Sequence, residues 1–188
     1  MSGFSFIKQY ITKPRTVGAV WPSSKYLAKK MIQDIDFASA EYIVEYGPGT
    51  GVFTDNILNA RNPSTALLLI ENNQEFYNLL TEKYPDEPNL YIINGSAEDV
   101  GKFMALHNIP HADYIISGLP FASLPQEVSA RILSQTKKVL KPNGRFITFQ
   151  YTMLKKDFIA RHFEEITIKR ELRNIPPAYV LSCKQKKA

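Results

Sequence analysis

Short, β-branched-rich apolar segments alternate with amphipathic ones along most of this 188-residue chain, and that order leaves few architectures open. Strand-like segments cover residues 42–46, 65–70, 90–93, 113–117 and 144–150, followed by 166–172 and 179–184. Helix-period patterns occupy residues 24–32 ahead of the first strand, 52–60 and 74–84 between the early strands, and 127–140 ahead of the fifth. Strands joined through helices need right-handed crossovers, so the spacing predicts an α/β fold with a parallel sheet covered by helices on both faces. Only residues 173–178, with Pro176 and Pro177, separate the last two strands, and a connection that short permits only an antiparallel return. Lys141, Pro142, Asn143 and Gly144 read as the turn between the long helix and the fifth strand.

Chemistry concentrates where the strands end. The first runs into Glu45-Tyr46-Gly47-Pro48-Gly49-Thr50-Gly51, whose alternating glycines let the backbone approach a ligand and turn sharply into a helix whose amides then face the site. A dinucleotide fingerprint would need glycine where Val52 stands, which disfavours a pyrophosphate cradle. Strand two ends in Glu71-Asn72, a carboxylate suited to both hydroxyls of a ribose. Strand three runs into Asn94-Gly95-Ser96-Ala97-Glu98-Asp99, a polar turn able to pair with an adenine edge. All three lie at the carboxyl ends of adjacent strands, where open parallel sheets bind ligands.

Charge is unevenly placed. Of 23 basic residues, six (Lys8, Lys13, Arg15, Lys25, Lys29, Lys30) precede the first acidic one, Asp34, so the whole net charge of +5 comes from this segment. Phe4, Phe6, Ile7, Tyr10, Ile11 and Trp21 share it. Cations beside bulky apolar groups suit an anionic membrane or a nucleic-acid backbone, and equally an amphipathic helix packed on the domain. The one cysteine, Cys183, reads as a small hydrophobe on a late strand, and a chain without disulfides fits a cytoplasmic protein. No apolar run approaches the ~20 residues of a membrane-spanning helix, and no signal peptide is expected. No His, Cys or carboxylate cluster has metal-ligand spacing, so no metal is expected.

The loop from Glu45 to Gly51, together with Glu71 and the turn Ser96-Ala97-Glu98, resembles the class I S-adenosylmethionine-dependent methyltransferases. The resemblance implies a Rossmann-like seven-stranded sheet, six strands parallel and the seventh antiparallel. It implies S-adenosylmethionine as cofactor, with S-adenosylhomocysteine as product. In such enzymes Glu71, with Asn72 beside it, would hold the ribose hydroxyls. Ser96, Ala97 and Glu98 or the neighbouring backbone would meet the adenine, and Gly47, Gly49 and Gly51 the methionine part. Glu45 would orient that loop or the cofactor's amino group.

The fold places the methyl acceptor after strand four, here Ser117-Gly118-Leu119-Pro120-Phe121. The rRNA adenine dimethylases carry Asn-Leu-Pro followed by Tyr or Phe there, the asparagine orienting the adenine amino group. Gly118 stands at that asparagine, so its hydrogen bond must be lost or supplied by Ser117 or a backbone carbonyl. Those enzymes continue into an RNA-binding helical domain, whereas this sequence has only Gln185-Lys186-Lys187-Ala188 after strand seven. A further resemblance is to the bacterial phospholipid N-methyltransferases of the rRNA adenine dimethylase-like branch, carried by VGAVWPSS (residues 17–24), SGLPF (117–121) and NIPPAYV (174–180). It implies methylation of the phosphatidylethanolamine amine towards phosphatidylcholine. It also implies a basic, aromatic N-terminal segment, residues 1–35, that adsorbs on an anionic membrane and caps the active site of a 36–188 methyltransferase domain. Phosphatidylethanolamine and the membrane surface are then the expected partners, nucleic acid less so, and no protein partner is implied.

Phe121, where an aliphatic residue is expected of the lipid enzymes, keeps a nucleobase or a small amine open as acceptor. A cofactor- or membrane-binding module without turnover is the other alternative. An amine must be unprotonated to attack. The Tyr46 or Tyr151 hydroxyl, with backbone carbonyls of the 117–119 turn, is expected to orient it while water takes the proton. His107, His111 and His162 read as surface or structural residues, and Trp21 and Phe121 as candidate pocket walls.

Overall fold

A computed structural model describes residues 24–185. Helix α1 (Ser24–Ile32) precedes β1 (Tyr42–Tyr46), followed by α2 (Val52–Ala60), β2 (Ala66–Glu71), α3 (Gln74–Lys83) and β3 (Leu90–Asn94). A 3-10 turn (Ala97–Asp99) and α4 (Val100–Leu106) lead to β4 (Ala112–Ser117), α5 (Gln126–Val139) and β5 (Leu140–Gln150). A short α6 (Lys156–Ala160) and the hairpin β6 (Glu165–Glu171) to β7 (Ala178–Lys184) complete the described chain.

The strands form one seven-stranded sheet in the order β3-β2-β1-β4-β5-β7-β6. Only β7 runs against the others, pairing antiparallel with both β5 and β6, so the expected six-plus-one arrangement is present. Its two faces are separately packed. Val44, Leu68, Ile70, Ile115 and Phe146 meet Met104 of α4 and Ile132 and Leu133 of α5. Ile43, Leu67, Leu69, Ile116 and Ile147 meet Leu27 and Met31 of α1, Ile57 of α2 and Leu80 of α3. Burying each Leu or Met side chain contributes about 2 kcal/mol, so α1 is held as part of the body.

The sheet puts β1, β2, β3 and β4 side by side with their carboxyl ends at one edge, at Tyr46, Glu71, Asn94 and Ser117. Local chemistry fixes the helix starts there. Asn73 caps α3 by accepting the amides of Glu75 (2.9 Å) and Phe76 (3.1 Å).

Three features depart from the expectations. The 3-10 turn with α4 and the five-residue α6 did not stand out as helical, being short and, in α4, interrupted by Gly101. The turn at Lys141–Gly144 lies inside β5: Ala112 pairs with Leu140 and Tyr114 with Arg145, so four residues bulge opposite Asp113, with Asn143 at φ 63°. Buried Asp113 stabilises that bulge by pairing with Lys141 and accepting the amides of Glu41 (2.9 Å) and Tyr42 (2.7 Å). Among the described residues no helix is long and apolar enough to cross a membrane. The expectations that fall on residues 1–23, Trp21 and most of VGAVWPSS included, lie outside the described residues.

Candidate active site

The loop after β1 is built by left-handed glycines. Gly47, Gly49 and Gly51 adopt φ of 60°, 58° and 82°, conformations a side chain would strain. The Gly47 amide donates to the Ile70 carbonyl (2.9 Å), tying the loop to β2. Residues at the end of α3 clamp its other side. The Tyr84 hydroxyl donates to Asp55 (2.6 Å) and the Gly51 carbonyl (3.3 Å), and Lys83 donates to Asp55 (2.7 Å) and the Thr50 carbonyl (3.3 Å).

Two carboxylates face this loop from below and beside. Glu71 Oε2 accepts the Gly49 amide (3.0 Å) and Oε1 the Asn73 amide (2.8 Å). Burial raises the Glu71 pKa, and the amides of Asn73 and Gly49 oppose that rise. Glu45 is fully buried; its Oε2 accepts the Thr54 hydroxyl (2.8 Å). Its Oε1, equally buried, has no hydrogen-bond partner among the described residues. Burial pushes the Glu45 pKa up to about 8; the Thr54 hydroxyl opposes this and Glu71 adds to it. Asn72 is exposed beside Glu71.

The third-strand turn is locally capped. Ser96 Oγ accepts the Glu98 amide (3.2 Å) and donates to Glu98 Oε2 (3.3 Å), while Arg131 of α5 pairs with Oε1. Ala97 is buried in the core beneath it.

The turn after β4 interlocks with the glycine loop. Ser117 lies opposite Tyr46 in the ladder, its Oγ accepting the Leu119 amide (3.2 Å), and the Gly118 amide donates to the Tyr46 carbonyl (2.8 Å). A Cβ on Gly118 would stand 2.6 Å from the Gly47 carbonyl oxygen, and one on Gly47 would stand 2.9 Å from Leu119 Cδ2. Glycine at 118 is therefore a close-approach requirement of two backbones. Leu119 and Pro120 are half-buried, and Pro120 accepts the Ser123 amide (2.8 Å).

Two expected acceptor residues point elsewhere. Tyr46 is fully buried and shares a hydrogen bond with Thr136 of α5 (3.2 Å), because it lies on the Val44 face of β1; burial moves its pKa upward. Phe121 is fully buried edge-on to Phe146, ring centroids 6.0 Å apart, because the chain folds back over the core after Pro120. Neither ring is available to an acceptor in this arrangement. Tyr151 is half-buried against Phe149 (5.4 Å between centroids), just past the carboxyl end of β5. The histidines pack on rings: His107 on Tyr91, His111 on Tyr42 and His162 beside Phe158. Cys183 is buried in the core, its thiol pushed up to about 12 by burial. No group of His, Cys, Asp and Glu able to hold a metal ion occurs among the described residues.

Sequence reasoning missed the supports of the site: Thr54, Lys83, Tyr84, Asp55 and Arg131. Thr54 and Asp55 stand in the first turn of the helix after Gly51, within reach of a local reading; Lys83, Tyr84 and Arg131 reach the site from distant segments.

The chain matches the family model described as ribosomal RNA adenine dimethylase over residues 17–173. It is 30% identical over 183 residues to an ornithine lipid N-methyltransferase of Singulisphaera acidiphila, covering 96% of this chain and 95% of that protein. It is 32% identical over 93 residues to the ribosomal RNA small subunit methyltransferase A of a Sulfurihydrogenibium species, covering 50% of this chain and 35% of that one. Among solved structures, the T. thermophilus 16S rRNA N2 G1207 methyltransferase in complex with AdoMet and guanosine superposes with a TM-score of 0.67 at 14% identity, covering 92% of this chain and 45% of that one. This chain belongs to the ribosomal RNA adenine dimethylase family of S-adenosylmethionine-dependent methyltransferases.

Proposed function

We propose that this methyltransferase transfers methyl groups to the amine of a membrane-lipid headgroup, with phosphatidylethanolamine as the first candidate and an ornithine lipid as the second. The observation that carries this is the extent of similarity. The match to an ornithine lipid N-methyltransferase runs through 95% of that relative, whereas the matches to rRNA methyltransferase A proteins run through 35% to 55% of theirs. The interlocked turn supports the same reading, since Gly118 has no room for the asparagine that orients an adenine.

The residues present fit the cofactor. The unpartnered, buried Glu45 Oε1 suits an ammonium group, and binding one there would compensate its desolvation. Glu71 keeps a second lone pair on each oxygen, directed by its two backbone bonds, for ribose hydroxyls. Ser96 and Glu98, with the neighbouring backbone, supply the polar edge for adenine. S-adenosylmethionine, when bound, supplies an already activated methyl group, so the protein's task is positioning. For the acceptor, carbonyls of the Ser117–Leu119 turn and the Tyr151 hydroxyl are the groups able to hold a neutral amine, its proton passing to water. Within residues 1–35, α1 fixes the segment to the body, and in this proposal the residues before it meet the membrane and cover the site.

The test is a methyl-transfer assay with labelled cofactor and separate acceptors: phosphatidylethanolamine vesicles, ornithine-lipid vesicles and 16S rRNA. Methylated lipid with unlabelled RNA is expected. Labelled RNA alone, from protein shown to bind cofactor, would overturn the proposal.

A further inference from the structure

The described chain exposes few large aliphatic side chains, and the three most exposed apart from Leu106 are Leu154 (85%), Ile175 (67%) and Leu172 (63%). They belong to two neighbouring turns. β6 ends at Glu171 and β7 begins at Ala178, while β5, paired to β7 through Gln150 and Tyr179, ends just before Leu154. Both turns thus lie at the carboxyl edge of the sheet, where the loops after β1 and β4 form the candidate site. Leu106, at the far end of α4, lies at the opposite edge.

Basic residues predominate at these turns: residues 151–156 and 172–177 contain Lys155, Lys156 and Arg173 and no carboxylate, and the next residue, Asp157, stands 4.0 Å from Lys156. Arg173 is braced from two sides: its guanidinium lies over the Tyr26 ring (4.3 Å) and grips buried Glu171 through both carboxylate oxygens (2.9 and 3.0 Å). Lys30 stands 3.8 Å from Glu171, so the acid of this hairpin is matched by two cations and faces inward. The tip is therefore preorganised, with its aliphatic residues outward. Tyr26 also shows that α1 begins beside this hairpin.

We propose that the turn after β5 and the β6–β7 hairpin are a bilayer-contacting surface: Leu154, Leu172 and Ile175 enter the headgroup region of an anionic membrane, and Lys155 and Lys156 pair with its phosphates while Arg173 holds the hairpin tip in place. This deepens, and rests on, the reading of a lipid headgroup as acceptor. Aliphatic tips ringed by cations match an interface that is apolar below and anionic above. An RNA backbone would meet the cations but would leave three leucine-type side chains in water. Contact through these two turns sets the open edge of the sheet against the layer that holds the headgroup amines.

The test uses the full chain with Leu154→Cys, Leu172→Cys, Ile175→Cys or Leu106→Cys, each labelled with an environment-sensitive fluorophore. Native Cys183 is buried and stays unlabelled. Vesicles of phosphatidylglycerol and phosphatidylcholine contain no amine acceptor, so the result is independent of methylation. Expected are a blue shift and protection from an aqueous quencher at 154, 172 and 175 but not at 106. A triple Leu154→Asn, Leu172→Asn, Ile175→Asn variant should partition into the same vesicles about tenfold more weakly. No shift at the three positions, an equal shift at 106, or a shift produced by 16S rRNA instead of vesicles overturns the proposal. Failure of lipid methylation with these shifts intact would refute the substrate reading alone.

Discussion

Replacing Gly118 by asparagine recreates the residue of the rRNA adenine dimethylases at the acceptor turn, and the structure predicts damage in place of a new activity. The new Cβ would stand 2.6 Å from the Gly47 carbonyl oxygen and 3.5 Å from that of Tyr46. Ordinary contacts begin near 3.4 Å, so the backbones must part by most of an ångström. Neither side is free to move: the Gly118 amide is bonded to Tyr46 O, and Gly47 is bonded to Ile70. Overpacking of this kind costs about 2 kcal/mol, which for a domain of this size lowers the melting temperature by roughly 4–8 °C. Displacing Gly47 also moves Gly49 away from Glu71, and losing that placement should weaken S-adenosylmethionine binding about tenfold, equivalent to about 1.4 kcal/mol. Gly118→Ala separates the cause, because it adds the Cβ without the amide and should lose nearly as much. Scanning calorimetry and isothermal titration with cofactor read both effects. An asparagine variant with native stability and affinity that methylates rRNA adenine would refute the argument that the two turns are sterically interlocked.

Tyr46→Phe should leave the turnover rate within about twofold while lowering stability by about 1 kcal/mol, the value of one buried hydrogen bond, here to Thr136; a hundredfold fall in kcat would return Tyr46 to the acceptor. Glu45 makes a pH prediction. Its folded pKa, about 8, lies above the unfolded carboxylate value near 4.5, so the native state holds the proton more tightly. Its contribution is complete below about pH 4.5 and is lost as pH rises towards 8. Glu45→Gln should therefore flatten the decline in melting temperature between pH 5 and 8 measured without cofactor, and an unchanged slope would show that Glu45 is already ionised in the folded protein.

Much of the architecture was legible because it depends on local order. Alternation of strands and helices, and the six residues left for the final turn, required a parallel sheet with one antiparallel strand, and the boundaries of β1 and α2 coincide with their sequence patterns. The glycine loop, Glu71 and the Ser96–Glu98 turn were recognisable for the same reason: each is a short segment whose chemistry lies in consecutive residues. The α4 segment was not legible, because seven residues around Gly101 make too few turns for a helical period to emerge.

Tertiary structure decided which side of the sheet each residue serves. Both faces of a parallel sheet are covered, so alternation separates Glu45 from Tyr46 without saying which enters the site. Packing against α5 turns Tyr46 inward to Thr136, and the fold-back after Pro120 buries Phe121 on Phe146. The same long-range packing brings Tyr84 and Lys83 to the glycine loop and Arg131 to Glu98. Local order was enough to dictate the sheet and the glycine-rich loop, and to set glycine at 118. Only the folded chain supplied the reason for that glycine, since the Gly47 carbonyl that excludes a side chain there comes from the loop after β1, 71 residues earlier, and meets it only when β1 and β4 pair.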